Sequence, residues 1–266
     1  MSIVAAISAT PLNLRELRML RLLCITAHPD DEAGGFGGSL LLYASRGVET
    51  HVICMTPGQA ATHRGGARSN EELAAMRRKE FQASCNLLRV KQAEVLNHPD
   101  GGLERVDFNS VVGEIVERIR RIRPHVLMTF GPEGAVTAHP DHSMASSIAT
   151  LAYQWAGRSN RFPEQLKNGL TPHRTQKLYY ATTLFTLPDR QPVSLAPVTA
   201  TIEIGSEFLD IKIQAFKQHT SQSPLFQLFE PMVRKRGTKE LFHLAATTAP
   251  REMAAETDLF EGVKED

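Results

Sequence analysis

Sulfur is scarce in this chain. Three cysteines occur in 266 residues, Cys24, Cys54 and Cys85, with no two at CxxC spacing. An odd, dispersed set builds neither a disulfide framework nor a cysteine-based structural zinc knot. Cys24 and Cys54 lie inside apolar runs, where a thiol serves as a small core side chain, and a reducing cytoplasm is the simplest setting. An excess of either charge is lacking too. Thirty Lys and Arg against 29 Asp and Glu leave a formal net charge of +1, which argues for no nucleic-acid or anionic-membrane partner. No run approaches the ~18 apolar residues of a membrane span, so no membrane insertion is expected. At the start, the apolar patch of MSIVAAISATPLNL precedes Arg15, Arg18 and Arg21, the reverse of a secretory signal. Residues 1–18 are expected to be a loose, disordered arm ahead of a single domain over 19–266.

Three nucleotide or nucleophile signatures are also missing. No GxSxG elbow occurs for a serine hydrolase. Ser39 lacks the lysine-bearing spacing of a P-loop. Gly34-Gly35-Phe36-Gly37-Gly38 departs from the GxGxxG register and follows an acidic run that would repel a pyrophosphate. Glycines there are better read as a helix start that lets backbone approach closely.

What remains is a globular composition, 42% hydrophobic and 22% charged, with strand and helix patterns in alternation. Strands are expected at 21–27, 50–56, 94–97 and 125–130, each followed by a helical pattern. The first helix is expected from Phe36 to Arg46 with Gly47 as its stop. A capping box, Ser69 with Glu72, opens a second helix that runs to about Leu88. Val111, Ile115, Ile119 and Ile122 mark a third, ended by Pro124. Four alternations predict an α/β fold: a three-layer Rossmann-like sandwich, mostly parallel, with helices on both faces. Beyond residue 157 the pattern is weaker. Strands are expected at 177–183 and 199–204 and a helix at 206–219, with 226–236 unassigned.

Two histidine-rich motifs follow predicted strands, where parallel sheets bind ligands. His28-Pro29-Asp30-Asp31-Glu32 leaves the first strand, and His139-Pro140-Asp141-His142 leads from the fourth into a helix. Imidazole and carboxylate are the ligand types of a catalytic divalent metal with an open position for water. His28 and Asp31 can face one point from a tight turn, with His142 as third ligand from a neighbouring loop. Asp30 would then be free as general base, with His139 nearby and Asp141 able to orient it. A single HPD is often only turn chemistry. Two at equivalent sheet edges are harder to assign to turns, whereas His98-Pro99-Asp100 runs into Gly101-Gly102 and reads as a turn whose Asp100 reaches the same cleft.

These motifs, with Arg77-x-x-Glu80, Asp100-Gly101 and Lys212…His219-x-Ser221-Gln222, resemble the LmbE-like/PIG-L N-deacetylase family over roughly residues 20–225. The resemblance implies a zinc-dependent enzyme, one zinc per chain with another divalent ion open, that removes acetyl groups from small N-acetylglucosamine-type conjugates. It implies His28, Asp31 and His142 as zinc ligands and Asp30 as general base. His139, partnered by Asp141, would stabilise the oxyanion or protonate the leaving amine. Arg77 would hold the sugar or acyl region of the substrate, with Asp100 beside it; otherwise Arg77 is a solvated helix residue. Ala138 and Thr137 depart from the glycine and tyrosine common at those places. His219 is read as a helix-end cap in preference to a cleft residue. The loop 57–67 and the region after Gly157 are expected to line the aglycone groove. Hydrolysis of a different amide or ester, non-catalytic sugar binding on the same fold, and homo-oligomerisation stay open.

Overall fold

The computed structural model describes residues 19–186, 191–250, 252 and 254–265; the arm expected over 1–18 lies outside them. Seven strands form one sheet in the order β3-β2-β1-β4-β5-β7-β6. Its parallel part comprises β1 (Arg21–Thr26), β2 (Glu49–Cys54), β3 (Gln92–Val95), β4 (Val126–Phe130) and β5 (Lys177–Thr182). These strands are dense in Leu, Ile, Val and Cys because both faces are covered, and β1 is buried from Leu22 to Thr26. The Rossmann-like sandwich read from the alternation is therefore present.

Helices α1 (Asp31–Ser45) and α2 (Asn70–Leu87) pack on one face, joined later by α6 (Gly205–Phe216); α3 (Phe108–Ile122) and α4 (Pro140–Ala156) pack on the other. Chain direction across the sheet reverses between β1 and β4, which are hydrogen-bonded neighbours. A crevice opens at such a reversal, outside the carboxyl ends of the two strands. Both HPD motifs emerge there.

Four differences from the sequence reading have physical causes. Helix α1 begins at Asp31, five residues before Phe36, because its glycines, poor helix formers alone, are fixed by packing. Gly38 shows why: a Cβ there would lie 2.3 Å from Ile204 Cδ1 and 2.8 Å from Glu240 Oε1. The unassigned stretch 226–236 is helix α7 (Phe226–Arg236), despite an internal proline. Strand β7 (Lys239–Thr247), absent from the sequence reading, runs antiparallel to both β5 and β6 (Ala200–Glu203). Its Glu240 is buried, accepting from the Gly38 and Ser39 amides at 2.9 and 2.8 Å and paired with Lys212 Nζ at 2.5 Å. Finally, α4 carries the chain roughly 25 Å to the opposite edge, so the segment directly after Gly157, with α5 (Pro163–Lys167), lies away from the crevice, whereas later residues such as Phe216 and Phe229 return to it. That segment wraps Arg120, whose guanidinium donates to the carbonyls of Ala156, Arg158, Arg161 and Phe162.

The cysteines are buried and free, and burial pushes each thiol well above its ordinary pKa, as expected of core residues. Among the described residues no helix is long and apolar enough to cross a membrane. The Gly38 contact yields a stability test. Gly38→Ala is expected to cost ~1–3 kcal/mol by overpacking, seen as a fall in Tm. Gly35→Ala, where nothing lies within 4 Å of a new Cβ, is expected to leave Tm unchanged or raised. Equal Tm values for the two variants would contradict this packing.

Candidate active site

The turn 27–31 folds on its own carboxylate. Asp31 Oδ2 accepts the amides of Ala27 and His28 at 3.2 and 2.8 Å, and it stands 3.5 Å from His28 Nδ1. Across the crevice, His142 at the third position of α4 sets Nε2 3.2 Å from Asp31 Oδ1. The His142 ring is stacked on Phe130, centroids 4.1 Å apart, and its buried Nδ1 has no partner among the described residues. Proximity to His142 then outweighs burial and holds the Asp31 carboxyl well below the usual range.

Those N···O separations are informative. Two ligands at about 2.0–2.2 Å from one tetrahedral ion lie roughly 3.4 Å apart, and the pairs His28 Nδ1–Asp31 Oδ2 and His142 Nε2–Asp31 Oδ1, one on each carboxylate oxygen, are each near that spacing. The other nitrogen of His28 has the carboxylate contacts that orient a ligand imidazole: Nε2 is 3.0 Å from Asp100 Oδ1 and 3.2 Å from Asp141 Oδ2. Burial disfavours a charge on His28, but its hydrogen bonds to Asp100, Asp141 and Asp31 raise its pKa well above the ordinary value. His28, Asp31 and His142 are of the ligand types that suit a divalent ion. Among the described residues, the groups whose potential ligand atoms lie within 4.8 Å of one another are His28 with His139 and His142, and His28 with Asp100 and Asp141.

Asp141 differs from its expected part. Its carboxylate also accepts the amides of Gly101 and Leu103, at 2.7 and 3.1 Å. It therefore fastens the 98–103 turn and His28, and does not bond the His139 ring. His139 is the N-cap of α4, and its Nδ1 accepts the Asp141 amide at 3.2 Å. An Nδ1 that accepts leaves the neutral ring's proton on Nε2, and burial with the neighbouring imidazoles lowers the His139 pKa. The ring stands 4.8 Å from His28 and 5.1 Å from His142, centroid to centroid. Asp100 reaches the cleft as expected, and its Oδ2 accepts the Ala60 amide at 2.8 Å, which brings the 57–67 loop to the site.

Asp30 has left-handed backbone, φ 118°, at the N-cap of α1. For a residue with a Cβ that conformation costs on the order of 1–3 kcal/mol. Arg77 opposes it. Only 2% exposed, Arg77 is neither solvated nor open to a sugar: it donates to the Pro29 carbonyl, to Gly58 O at 3.0 Å and to Asp30 Oδ2 at 2.8 Å. Burial pushes the Asp30 carboxyl up to about 6, with Arg77 pulling the other way and Asp31 adding to the rise. Asp30 Oδ1 has no hydrogen bond among the described residues.

Sequence reasoning missed the support from behind. Glu32 is fully buried; its Oε2 accepts the Asp30 amide at 3.0 Å, and its Oε1 accepts from Ser84 at 2.6 Å and His219 Nε2 at 2.7 Å. His219 is thus a buried partner of Glu32, neither a helix cap nor a wall of the cleft. The His219-x-Ser221 spacing was the available signal, since Ser221 and Thr220 are held in turn by Glu80.

These features define a class: an α/β protein with a His/Asp metal-type cluster and a separate buried carboxylate at the switch point of its sheet. Comparison with known proteins agrees. The PIG-L family, described as GlcNAc-PI de-N-acetylase, matches residues 23–153. A diacetylchitobiose deacetylase from Thermococcus kodakarensis is 31% identical over 216 residues, 80% of this chain and 75% of that one. A 1D-myo-inositol 2-acetamido-2-deoxy-alpha-D-glucopyranoside deacetylase from Catenulispora acidiphila is 29% identical, spanning 91% of this chain and 97% of its own. In structure, the N,N'-diacetylchitobiose deacetylase from Pyrococcus horikoshii superposes with a TM-score of 0.70 at 26% identity, covering 84% of this chain and 83% of that one. The chain belongs to the PIG-L/LmbE-like deacetylase family, whose named members are amide hydrolases.

The buried pair gives a prediction. His219→Ala leaves the buried Glu32 carboxyl short of a partner, and is expected to lower unfolding free energy by about 3–5 kcal/mol. His219→Gln, which keeps a donor, is expected to restore part of it. Denaturant titration checks both, and a His219→Ala variant as stable as the parent would remove the pair from the framework.

Proposed function

We propose that this chain is a cytoplasmic hydrolase that uses one zinc ion to remove the acetyl group from a small N-acetylglucosamine-type conjugate. The observation that carries the proposal is the separation of roles at one turn. Asp31 contacts the two histidines, while its neighbour Asp30, with left-handed backbone, is bonded to Arg77. His28, Asp31 and His142 would hold the ion. When bound, it supplies Lewis-acid polarisation of the acyl carbonyl and brings the pKa of a water toward ~7.

Asp30 removes a proton from the attacking water through Oδ1, because Oδ2 is committed to Arg77. A carboxyl near 6 is ionised at neutral pH yet basic enough for this step. His139 donates its Nε2 proton, as a hydrogen bond, to the developing oxyanion, an interaction worth about 3–4 kcal/mol for a well-placed donor. The proton on Asp30 then passes to the amine nitrogen as the C–N bond breaks, leaving acetate and a free amino sugar. Asp141 and Asp100 act through His28 by fixing its ring. Arg77 acts through Asp30, so the substrate role first expected of it passes to groups lining the open crevice.

The test is release of free amine from a panel of N-acetylglucosamine conjugates by zinc-loaded protein, with a chelated control. Chelator-sensitive release is expected. Silence across the panel from protein that holds its metal would discard the sugar. Asp30→Asn is expected to retain metal and lose about 10²–10⁴ in kcat, whereas His142→Ala is expected to lose metal affinity. Metal loss in Asp30→Asn would mean the two aspartates exchange roles.

A further inference from the structure

Beside the cluster lies a cavity of about 200 Å³ that touches Asp30, Asp31 and His142 and is walled by Phe130, Val136, Phe216, Phe229 and Met232. At roughly 30 Å³ per water, it holds far more than the methyl of an acetyl group. Among the described residues, the Lys or Arg that lines it is Arg236, in the last turn of α7.

Arg236 differs from its neighbour Arg234. Arg234 is at the surface and bonded to Asp210 at 2.8 Å and Glu230 at 2.9 Å, the ordinary arrangement for a cation near a helix C-terminus. Arg236 turns inward. It has no hydrogen bond or ion pair among the described residues, its Nε is buried without a partner, and burial lowers its pKa. The carboxylate that influences it, Glu240, is already engaged by Lys212 and the amides of Gly38 and Ser39. Of the acids that line the cavity, Asp30, Asp31 and Glu133, none makes an ion pair with it, and Glu133 is itself raised in pKa by burial. A half-buried guanidinium with no ion pair among the described residues has donors left to offer, and an apolar surround strengthens its bond to an anion that arrives.

We infer that Arg236 is a specificity residue for an anionic substituent, a carboxylate or phosphate, on the conjugate whose amide is cleaved. This inference rests on the deacetylase reading and deepens it. The apolar walls strip water from the substituent, and the guanidinium fork supplies paired donors.

The test uses three matched probes: a neutral alkyl glycoside of N-acetylglucosamine, the same glycoside ending in a carboxylate, and N-acetylglucosamine 1-phosphate. With zinc-loaded protein, an anionic probe is expected to exceed the neutral one in kcat/KM by about tenfold or more, chiefly through KM. Arg236→Gln is expected to collapse that ratio, and Arg236→Lys to keep part of it. Calorimetric binding of the same probes to metal-free protein is expected to show the same order, again lost in Arg236→Gln. The better of the two anions identifies the group. Equal affinities for neutral and anionic probes, or a preference that survives Arg236→Gln, would overturn the inference. Failure of the deacetylase reading is distinguishable: binding would discriminate while no probe releases amine.

Discussion

The Arg77–Asp30 ion pair settles which of two adjacent aspartates faces the metal-type cluster and which stays free. Asp30 takes a left-handed backbone and gives its carboxylate to Arg77, and the conformation persists because it is over-determined. Arg77 holds the side chain and the Pro29 carbonyl, while Glu32 holds the amide. Strain of this kind is stored where a site requires it and offset by contacts elsewhere. The offset reaches well into the protein, through Ser84 on α2 and His219 beyond α6, so the helix layer on that face is part of the site's support.

Sheet topology supplies the other half. Because β1 and β4 are neighbours at the point where the strand order reverses, turns 113 residues apart in sequence place His28 and Asp141 within 3.2 Å. The neighbouring solved structure of the hydratase GalB, with a TM-score of 0.69 at 19% identity, shares this fold. The fold is thus a platform, and chemistry is decided by the side chains at the switch point. In this chain those are two imidazoles facing one carboxylate, with a second carboxylate kept apart.

Much of this was legible in the letters. Regular alternation of buried strands with amphipathic helices, as in Val111 to Ile122, reads directly because its period follows from backbone geometry. The HPDDE and HPDH motifs read as one cluster because both leave strands at the same edge of the sheet, where the fold brings His28, Asp31 and His142 together. Other features were not legible, for reasons that are themselves physical. Arg77 stands beside Arg78 and Lys79, and nothing local shows that it alone is buried. Glu32 resembles an exposed first-turn acid until His219, 187 residues away, is brought against it. That α1 starts five residues before Phe36 was not legible, because the packing that fixes its glycines, such as Gly38 against Ile204 and Glu240, is tertiary. Asp141 beside His139 invited a pairing that helix geometry prevents, since the amide rather than the carboxylate meets the ring.

The central claim is that adjacent aspartates are divided between metal and proton, and it is most directly tested by locating the metal itself. Anomalous diffraction from crystals grown with zinc should show one ion bounded by His28, Asp31 and His142, with Asp30 outside its coordination sphere and still paired to Arg77. An ion seated instead among His28, Asp100 and Asp141, or ligated by Asp30, would contradict the account.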